Sequence, residues 1–259
     1  VTSAMSPGLR PWIAGASVIR PDERRALVHP PDAATALVFR AAAEDGRDGR
    51  LTVVGPRTRA SYFPGKRLRF CVRLRLSPGS AGVLLGVPAR ALVDRAVPLA
   101  DLWGAAGDRL ERDLGRAGPD PYRVLRRIEA ELAPRIAARA PADAGRDRLL
   151  RAAARALAPR PDRRPEPVVA VARRLAVSER HLREVFTDGV GLSPKRFARI
   201  ERVRTVLAHA GDGRFAQLAA LTGYYDQSHM TADFHSLMGV PPGAFFSGRL
   251  PATRPCHPV

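Results

Sequence analysis

Lysine is almost missing from this chain. Lys66 and Lys195 are the only lysines among 43 basic residues, which stand against 25 acids for a formal net charge of +18. Such an excess suits a polyanionic partner. Abundant Ala, Arg, Gly and Pro beside scarce Lys is equally the mark of a GC-rich coding sequence, so charge alone decides nothing. Cysteine is nearly absent too: Cys71 and Cys256 lie far apart, imply no disulfide framework and fit a reducing cytoplasm. No stretch reaches the 18 or so apolar residues of a membrane span. The opening Val1-Thr2-Ser3-Ala4-Met5-Ser6-Pro7 lacks the charged-then-apolar order of a signal peptide. The expectation is a cytoplasmic protein with no membrane partner.

Histidine is rare where a metal site would need it. His29 is the only one before His181, so a His-rich centre cannot be assembled in the first half of the chain, and His29 reads as a structural or surface residue. Gly-x-Ser-x-Gly, Gly-x-x-x-x-Gly-Lys and Cys-x-x-Cys are all missing. Glu44, Asp45 and Asp48 fall in a Gly/Arg-rich loop, where solvated turn residues are the ordinary explanation. No catalytic residue, metal or cofactor is expected, and the enzyme reading is set aside.

What the chain does contain is a tandem pattern. In Gln217–His235 a short helix would bury Leu218, Ala219 and Leu221, and Gly223 would supply a turn that a residue without Cβ takes cheaply. Ser228 or Asp226 would cap a second helix, whose Met230, Phe234 and Leu237 recur at i, i+4 and i+7 and face inward. Gln227, His229, Thr231 and Asp233 are left on the outer face. About 50 residues earlier the order repeats: Val168–Leu175 as a helix, Ala176-Val177 as the turn, and Ser178 as the cap. The helix that follows has Leu182, Val185 and Phe186 inside, with Glu179, Arg180, His181 and Arg183 outside. Between the copies Ser193-Pro194 starts a helix carrying Phe197, Ile200, Val203 and Leu207. At roughly 16 residues it would span about 24 Å. That spacing suits two recognition helices entering successive major-groove turns about 34 Å apart on one DNA face.

Leu175-Ala176-Val177-Ser178 with Leu182 and Phe186, Gly191-Leu192-Ser193-Pro194, and above all Gly223-Tyr224-Tyr225-Asp226-Gln227-Ser228-His229 with Phe234 and Gly239-Val240-Pro241-Pro242 resemble the DNA-binding domain of the AraC/XylS family of bacterial transcription regulators. The resemblance implies a double-stranded DNA partner, and RNA polymerase as a further partner of an activator. It also marks departures. The family usually carries a basic residue where Glu184 stands, and basic residues where Ala232, His235 and Ser236 stand. An acid facing phosphates costs affinity, so Arg173, Arg174, Lys195, Arg196, Arg199 and Arg202 are candidates to supply phosphate contacts instead.

Residues 9–86 read as short strands: Val18-Ile19-Arg20, Ala36–Phe39, Leu51–Pro56 and Leu68–Leu76, the last alternating apolar and basic residues as if one face were wet. Ala89–Val97 reads as a short helix and Pro98–Trp103 as the opening of a longer one. Trp12, Phe39, Phe63 and Phe70 read as core, with pocket lining as the alternative. Tyr122, Leu125, Ile128, Leu132 and Ile136 mark an amphipathic helix over 121–139 that packs on its own domain or forms a dimer seam. The order of strands, Leu84–Pro88 and Val97–Trp103 resembles the cupin-like barrel that accompanies a subset of AraC-type regulators.

The expected fold is therefore α+β in two domains. A β-rich cupin-like barrel or sandwich with helices at its end spans 1–140, as a regulatory, effector-binding or dimerisation domain. A linker follows at 141–145, then an all-α DNA-binding domain with two helix-turn-helix units at 146–249 and a disordered tail at 250–259. The expected DNA-facing set is Ser178, Glu179, Arg180, His181, Arg183, Lys195, Arg196, Gln227, Ser228, His229 and Thr231. A small-molecule effector in the N-terminal domain and a homodimer are the partners left open. The competing class is an effector-sensing or protein-interaction regulator with weak autonomous DNA binding.

Overall fold

The computed structural model describes residues 7–42, 49–139, 144–160, 165–209 and 215–254. The acidic loop at Glu44, Asp45 and Asp48, positions 141–143 of the expected linker, the first six residues and the end of the tail with Cys256 lie outside them.

The first part is built on an antiparallel sheet. Among the described residues seven strands, β1 (Ile13–Ile19), β2 (Leu27–His29), β3 (Ala36–Ala42), β4 (Gly49–Val54), β5 (Ser61–Phe63), β6 (Leu68–Leu76) and β7 (Ala96–Pro98), form a five-stranded sheet in the order β1-β6-β3-β4-β7 and a separate β2-β5 ribbon. Strand β6, paired between β1 and β3, has the cleanest alternation: Phe70, Val72, Leu74 and Leu76 all point one way and are buried. Register pairs Val72 with Phe39 and Leu74 with Leu37, so one continuous apolar face results. Helices α1 (Ser80–Leu85), α3 (Ala105–Arg116) and α4 (Pro121–Arg139) cover it.

Several expectations change here. Residues 80–85 form a helix, not a strand, set between Gly79 and Gly86, both in the left-handed region. The expected helix at 89–97 is a single 3-10 turn (Ala89–Leu92) followed by strand β7, because Asp94 takes a positive φ and its carboxylate is fixed by Thr58 N and Oγ1 at 2.7 and 2.6 Å. The helix opening at 98 stops after α2 (Leu99–Trp103), where Gly104 breaks it before α3 begins. In α4 Leu125, Ile128, Leu132 and Ile136 all enter the sheet's core, joined by Val124, while Tyr122 is 38% exposed. The stripe is spent inside its own domain, so the dimer-seam reading gives way. Trp12, Phe39 and Phe70 are core, and Phe63 stacks edge-on against His29. Burial beside Arg57 and Arg40 lowers the His29 pKa to about 3, so that imidazole is neutral.

The helical part comprises α5 (Ala144–Leu157), α6 (Val168–Arg174), α7 (Glu179–Val190), α8 (Pro194–His209), α9 (Phe215–Leu221), α10 (Gln227–Met238) and α11 (Pro242–Phe246). Phe186, Ile200, Val203, Met230 and Phe234 are its buried centre. Ala33 joins this second core, and Val28, Ala60 and Val93 pack on it, so the β-rich part closes one side of the helical part. The contact is also polar: Ala60 N donates to Leu237 O at 2.8 Å, and Tyr62 Oη to Met238 O at 2.6 Å. Past α11, Arg254 N donates to Tyr62 O at 2.8 Å.

The basic face of β6, expected to be wet from its alternation, is exposed only at Arg69. Arg73 and Arg75 turn onto Asp32, which is fully buried. Asp32 Oδ1 accepts from Ala34 N at 3.1 Å and Arg75 Nη2 at 2.7 Å; Oδ2 accepts from Arg73 and lies 3.2 Å from Arg204 Nη1 on α8. Burial alone would raise this carboxyl, but Arg75, Arg204 and Arg73 outweigh it and hold it below the usual carboxylate range. A depressed folded pKa contributes stability that is present above the ordinary value near ~4 and is lost as pH falls toward the folded value. Asp32→Asn leaves three guanidinium groups gathered with only the more distant Glu201 carboxylate, 3.9 Å from Arg75 and 3.7 Å from Arg204, as counter-charge. It should cost about 3–5 kcal/mol in urea denaturation at neutral pH, with the cost shrinking as pH falls below about 4. Asp22→Asn, in an exposed pair with Arg25, should stay within about 0.5 kcal/mol. Equal losses would contradict the role given to Asp32.

Candidate nucleic-acid interface

The first helix-turn-helix is made by α6 and α7. Ala176 carries the turn at φ 55°, a left-handed conformation a Cβ resists, and it is held there by Ala176 N to Arg173 O and Val177 N to Ala172 O, both 3.1 Å. Ser178 then returns to extended backbone and its Oγ accepts from His181 N at 3.1 Å, the expected cap. Leu182 and Phe186 are buried and Val185 is half-buried. Phe186 meets Phe197 of α8 edge-on at 5.2 Å, which sets α7 against the long helix.

That packing turns Arg180, His181, Arg183 and Glu184 outward, as the sequence suggested. Each arginine has a partner one turn away: Arg180 Nε lies 2.9 Å from Glu184 Oε1, and Arg183 pairs with Glu179. The Arg180 side chain is 89% exposed. Exposed i,i+4 pairs are worth only about 0.3–0.5 kcal/mol, so a guanine or phosphate can displace the carboxylate.

The second unit is made by α9 and α10. Gly223 turns at φ 77°, and a Cβ there would stand 2.9 Å from Pro165 Cδ. Of the two expected caps, Asp226 acts, accepting from His229 N at 2.7 Å, which leaves Ser228 exposed and free of that duty. Two expectations about faces are corrected. Leu221 is 61% exposed, because α9 ends as the chain turns into the left-handed Gly223. Asp233 is buried, not outward: Arg199 Nε bonds its Oδ1 at 3.0 Å, and Arg202 Nη2 lies 3.6 Å from Oδ2. Arg202 also sits 4.8 Å from the centre of the buried Tyr224 ring. Both arginines are therefore engaged within the fold.

Gln227, Ser228 and His229 remain together at the exposed start of α10, with Thr231 half-buried beside them. The His229 ring rests edge-on against Tyr224 at 5.2 Å. Tyr225, at 93% exposed, joins this edge and was not singled out from sequence. The available signal was the Tyr224-Tyr225 pair, of which a tight turn can bury only one. Arg173, Lys195 and Arg196 are exposed and, among the described residues, have no ion-pair partner, whereas Arg174 Nε bonds Glu166 Oε2 at 3.0 Å. Helix α8, 16 residues long, separates the two units.

Residues 171–248 match a family profile described as a helix-turn-helix domain. This segment is an AraC-type helix-turn-helix domain. The match begins inside α6 and ends just after α11, and so contains both units. No curated protein matches the chain. Among solved structures, the chain is similar to ToxT from Vibrio cholerae O395, at 10% identity and a TM-score of 0.45, over 90% of this chain and 96% of that one. A second ToxT structure, bound to (E)-4-(8-methylnaphthalen-1-yl)but-3-enoic acid, gives 11% identity and a TM-score of 0.44 over 90% and 97% of the two chains. A third, of ToxT from V. cholerae strain SCE256 with an unsaturated fatty acid bound, gives 10% and 0.43 over 92% and 97%. At such values the AraC-type assignment rests on the matched segment alone.

The turns of this AraC-type domain can be tested by stability. Ala176→Gly removes the Cβ from a left-handed position and should raise stability by about 1 kcal/mol. Ser178→Ala and Asp226→Ala each remove a cap and should lower it by about 1 kcal/mol. Urea denaturation of the three variants should show these opposite signs; a loss for Ala176→Gly would contradict the turn assignment.

Proposed function

We propose that the chain is a sequence-specific DNA-binding transcription regulator that places α7 and α10 in successive major grooves and reads bases mainly through α7. The observation that carries this reading is the outward group Arg180, His181 and Arg183 on the first two turns of a capped helix within an AraC-type domain. Arginine bidentate to guanine O6 and N7 is the commonest specific contact. Ser178 and Glu179 flank that group at the helix start, and Lys195 and Arg196 at the start of α8 supply cations for the backbone, as does Arg173. Gln227, Ser228, His229 and Thr231 of α10 form a more neutral face that positions the second half-site. The β-rich part is the regulatory module, and RNA polymerase is the partner if the protein activates.

A second reading has specific support. Arg199 and Arg202 are held by Asp233, and Ala232 stands where a cation would meet phosphate, so α10 contributes little charge. On that reading the protein is an effector-sensing or interaction regulator whose own hold on DNA is weak.

Titration of duplex DNA at several salt concentrations separates the two. Neutralising about five phosphates gives a log–log slope near −4.5. Arg180→Ala or Arg183→Ala, whichever reaches a guanine, should cost about 1–3 kcal/mol and relax preference at one base position. His229→Ala should cost less and act across sequences. Ala232→Arg should tighten binding broadly and steepen the slope by about 0.9. A flat salt response favours the weak-binding reading. If His229→Ala is the most damaging and Ala232→Arg has no effect, α10 is the reader.

A further inference from the structure

A cleft of about 530 Å³ lies where the β-rich part meets α5, α7 and α8. Five arginines line it: Arg10 ahead of β1, Arg75 on β6, Arg151 and Arg155 on α5, and Arg160 just beyond. Among the described residues, Glu201 of α8 is the single carboxylate in the lining. Between these charges the lining is small at Ala34, Ala154 and Gly189 and apolar at Leu76, Val190 and Phe197.

Three features set this cleft apart from an ordinary arginine-rich surface. First, the charges at the base of the cleft are under-satisfied: Arg75 Nε and Glu201 Oε1 have no hydrogen-bond partner, and Arg151 Nη1 has only the Asp147 carboxylate, 4.0 Å away. Second, Arg10, Arg155 and Arg160 have no ion-pair partner among the described residues, so the positive charge of the mouth is not balanced locally. The groove between α3 and α4 has four arginines, of which Arg127 and Arg116 are matched by Asp113 and Glu131, so fewer are left without a partner there among the described residues. Third, both parts of the chain contribute to the same space. Arg75 already binds Asp32, and Glu201 lies 3.9 Å from Arg75 and 3.7 Å from Arg204. Burial raises the Glu201 carboxyl despite Arg204 and Arg75 beside it, which makes it a weaker competitor for an incoming anion.

We propose that this cleft is a binding site for a compact polyanion, a small molecule carrying two or more phosphate or carboxylate groups, held between β6 and α5. Planar guanidinium forks match both oxyanions, and a ligand with several charges satisfies several arginines at once. A ligand so held touches both parts of the chain and stabilises their contact by mass action.

Calorimetric titration of the full chain at 150 mM salt, without DNA, tests this with pyrophosphate in one arm and citrate in the other. The site variant is Arg155→Ala with Arg160→Ala, both exposed and outside the buried network. The charge-matched control is Arg116→Ala with Arg126→Ala in the other groove. The expected result is one equivalent of at least one anion bound by wild type and control, and about tenfold or weaker binding by the site variant. The arm that binds distinguishes phosphate from carboxylate chemistry. Binding of neither anion, binding of several equivalents, or equal loss in both variants would overturn the proposal. It would also be overturned if nonspecific duplex displaced the anion and the site variant lost more DNA affinity than the control, because the cleft would then be a phosphate track. Without DNA in the primary titration, failure here leaves the regulator reading untouched.

Discussion

One buried carboxylate holds the two parts of this protein in register. Asp32 has no exposure to water and its two oxygens meet Arg73, Arg75, Arg204 and the Ala34 amide. Two of those arginines come from strand β6 of the sheet and one from the long helix that spaces the helix-turn-helix units. A carboxylate in such a place is tolerated only because cations surround it, and the cations are tolerated only because of the carboxylate. Around that point the apolar contacts of Ala33, Val28, Ala60 and Val93 and the hydrogen bonds of Ala60 and Tyr62 to the end of α10 fall into place. The helical part is thus supported by the β-rich part at the C-terminal end of α10 and along α8.

The same device recurs on a smaller scale at Asp233, which draws Arg199 and Arg202 inward and fixes α10 on α8. Rigidity is gained there at the expense of two arginines that could otherwise meet an outside partner. The two recognition helices consequently differ in kind. Helix α7 presents arginines held only by exposed i,i+4 partners, which DNA can replace. Helix α10 presents amide, hydroxyl and imidazole groups with an exposed Tyr225 at its start.

The helical half was legible in the sequence because its signals are local. Ser178 and Ser193-Pro194 announce helix starts, Gly223 a turn, and Met230, Phe234 and Leu237 a buried stripe, and each does what its chemistry dictates. The misreadings involve residues whose fate is set from a distance. Asp233 has the spacing of an outer residue, and only the arrival of Arg199 from another helix makes burial affordable. Arg73 and Arg75 look like a wet strand face until Asp32, some 40 positions away, is seen beneath them. Strands β2, β5 and β7, three residues each, are too short to show a period, and α1 is short enough to pass for an apolar strand. Of the candidate DNA face, the outward arginines of α7 could be read from periodicity, whereas their glutamate partners and the exposure of Tyr225 required coordinates.

The most direct measurement is selection of bound sequences from random duplexes by the full chain. Two recognition helices carried by one rigid α8 predict a bipartite site, with two segments about 10 base pairs apart on one DNA face and stronger sequence preference in the segment met by α7. Enrichment of no sequence, or of one uninterrupted segment with no second contact a helical turn away, would contradict it.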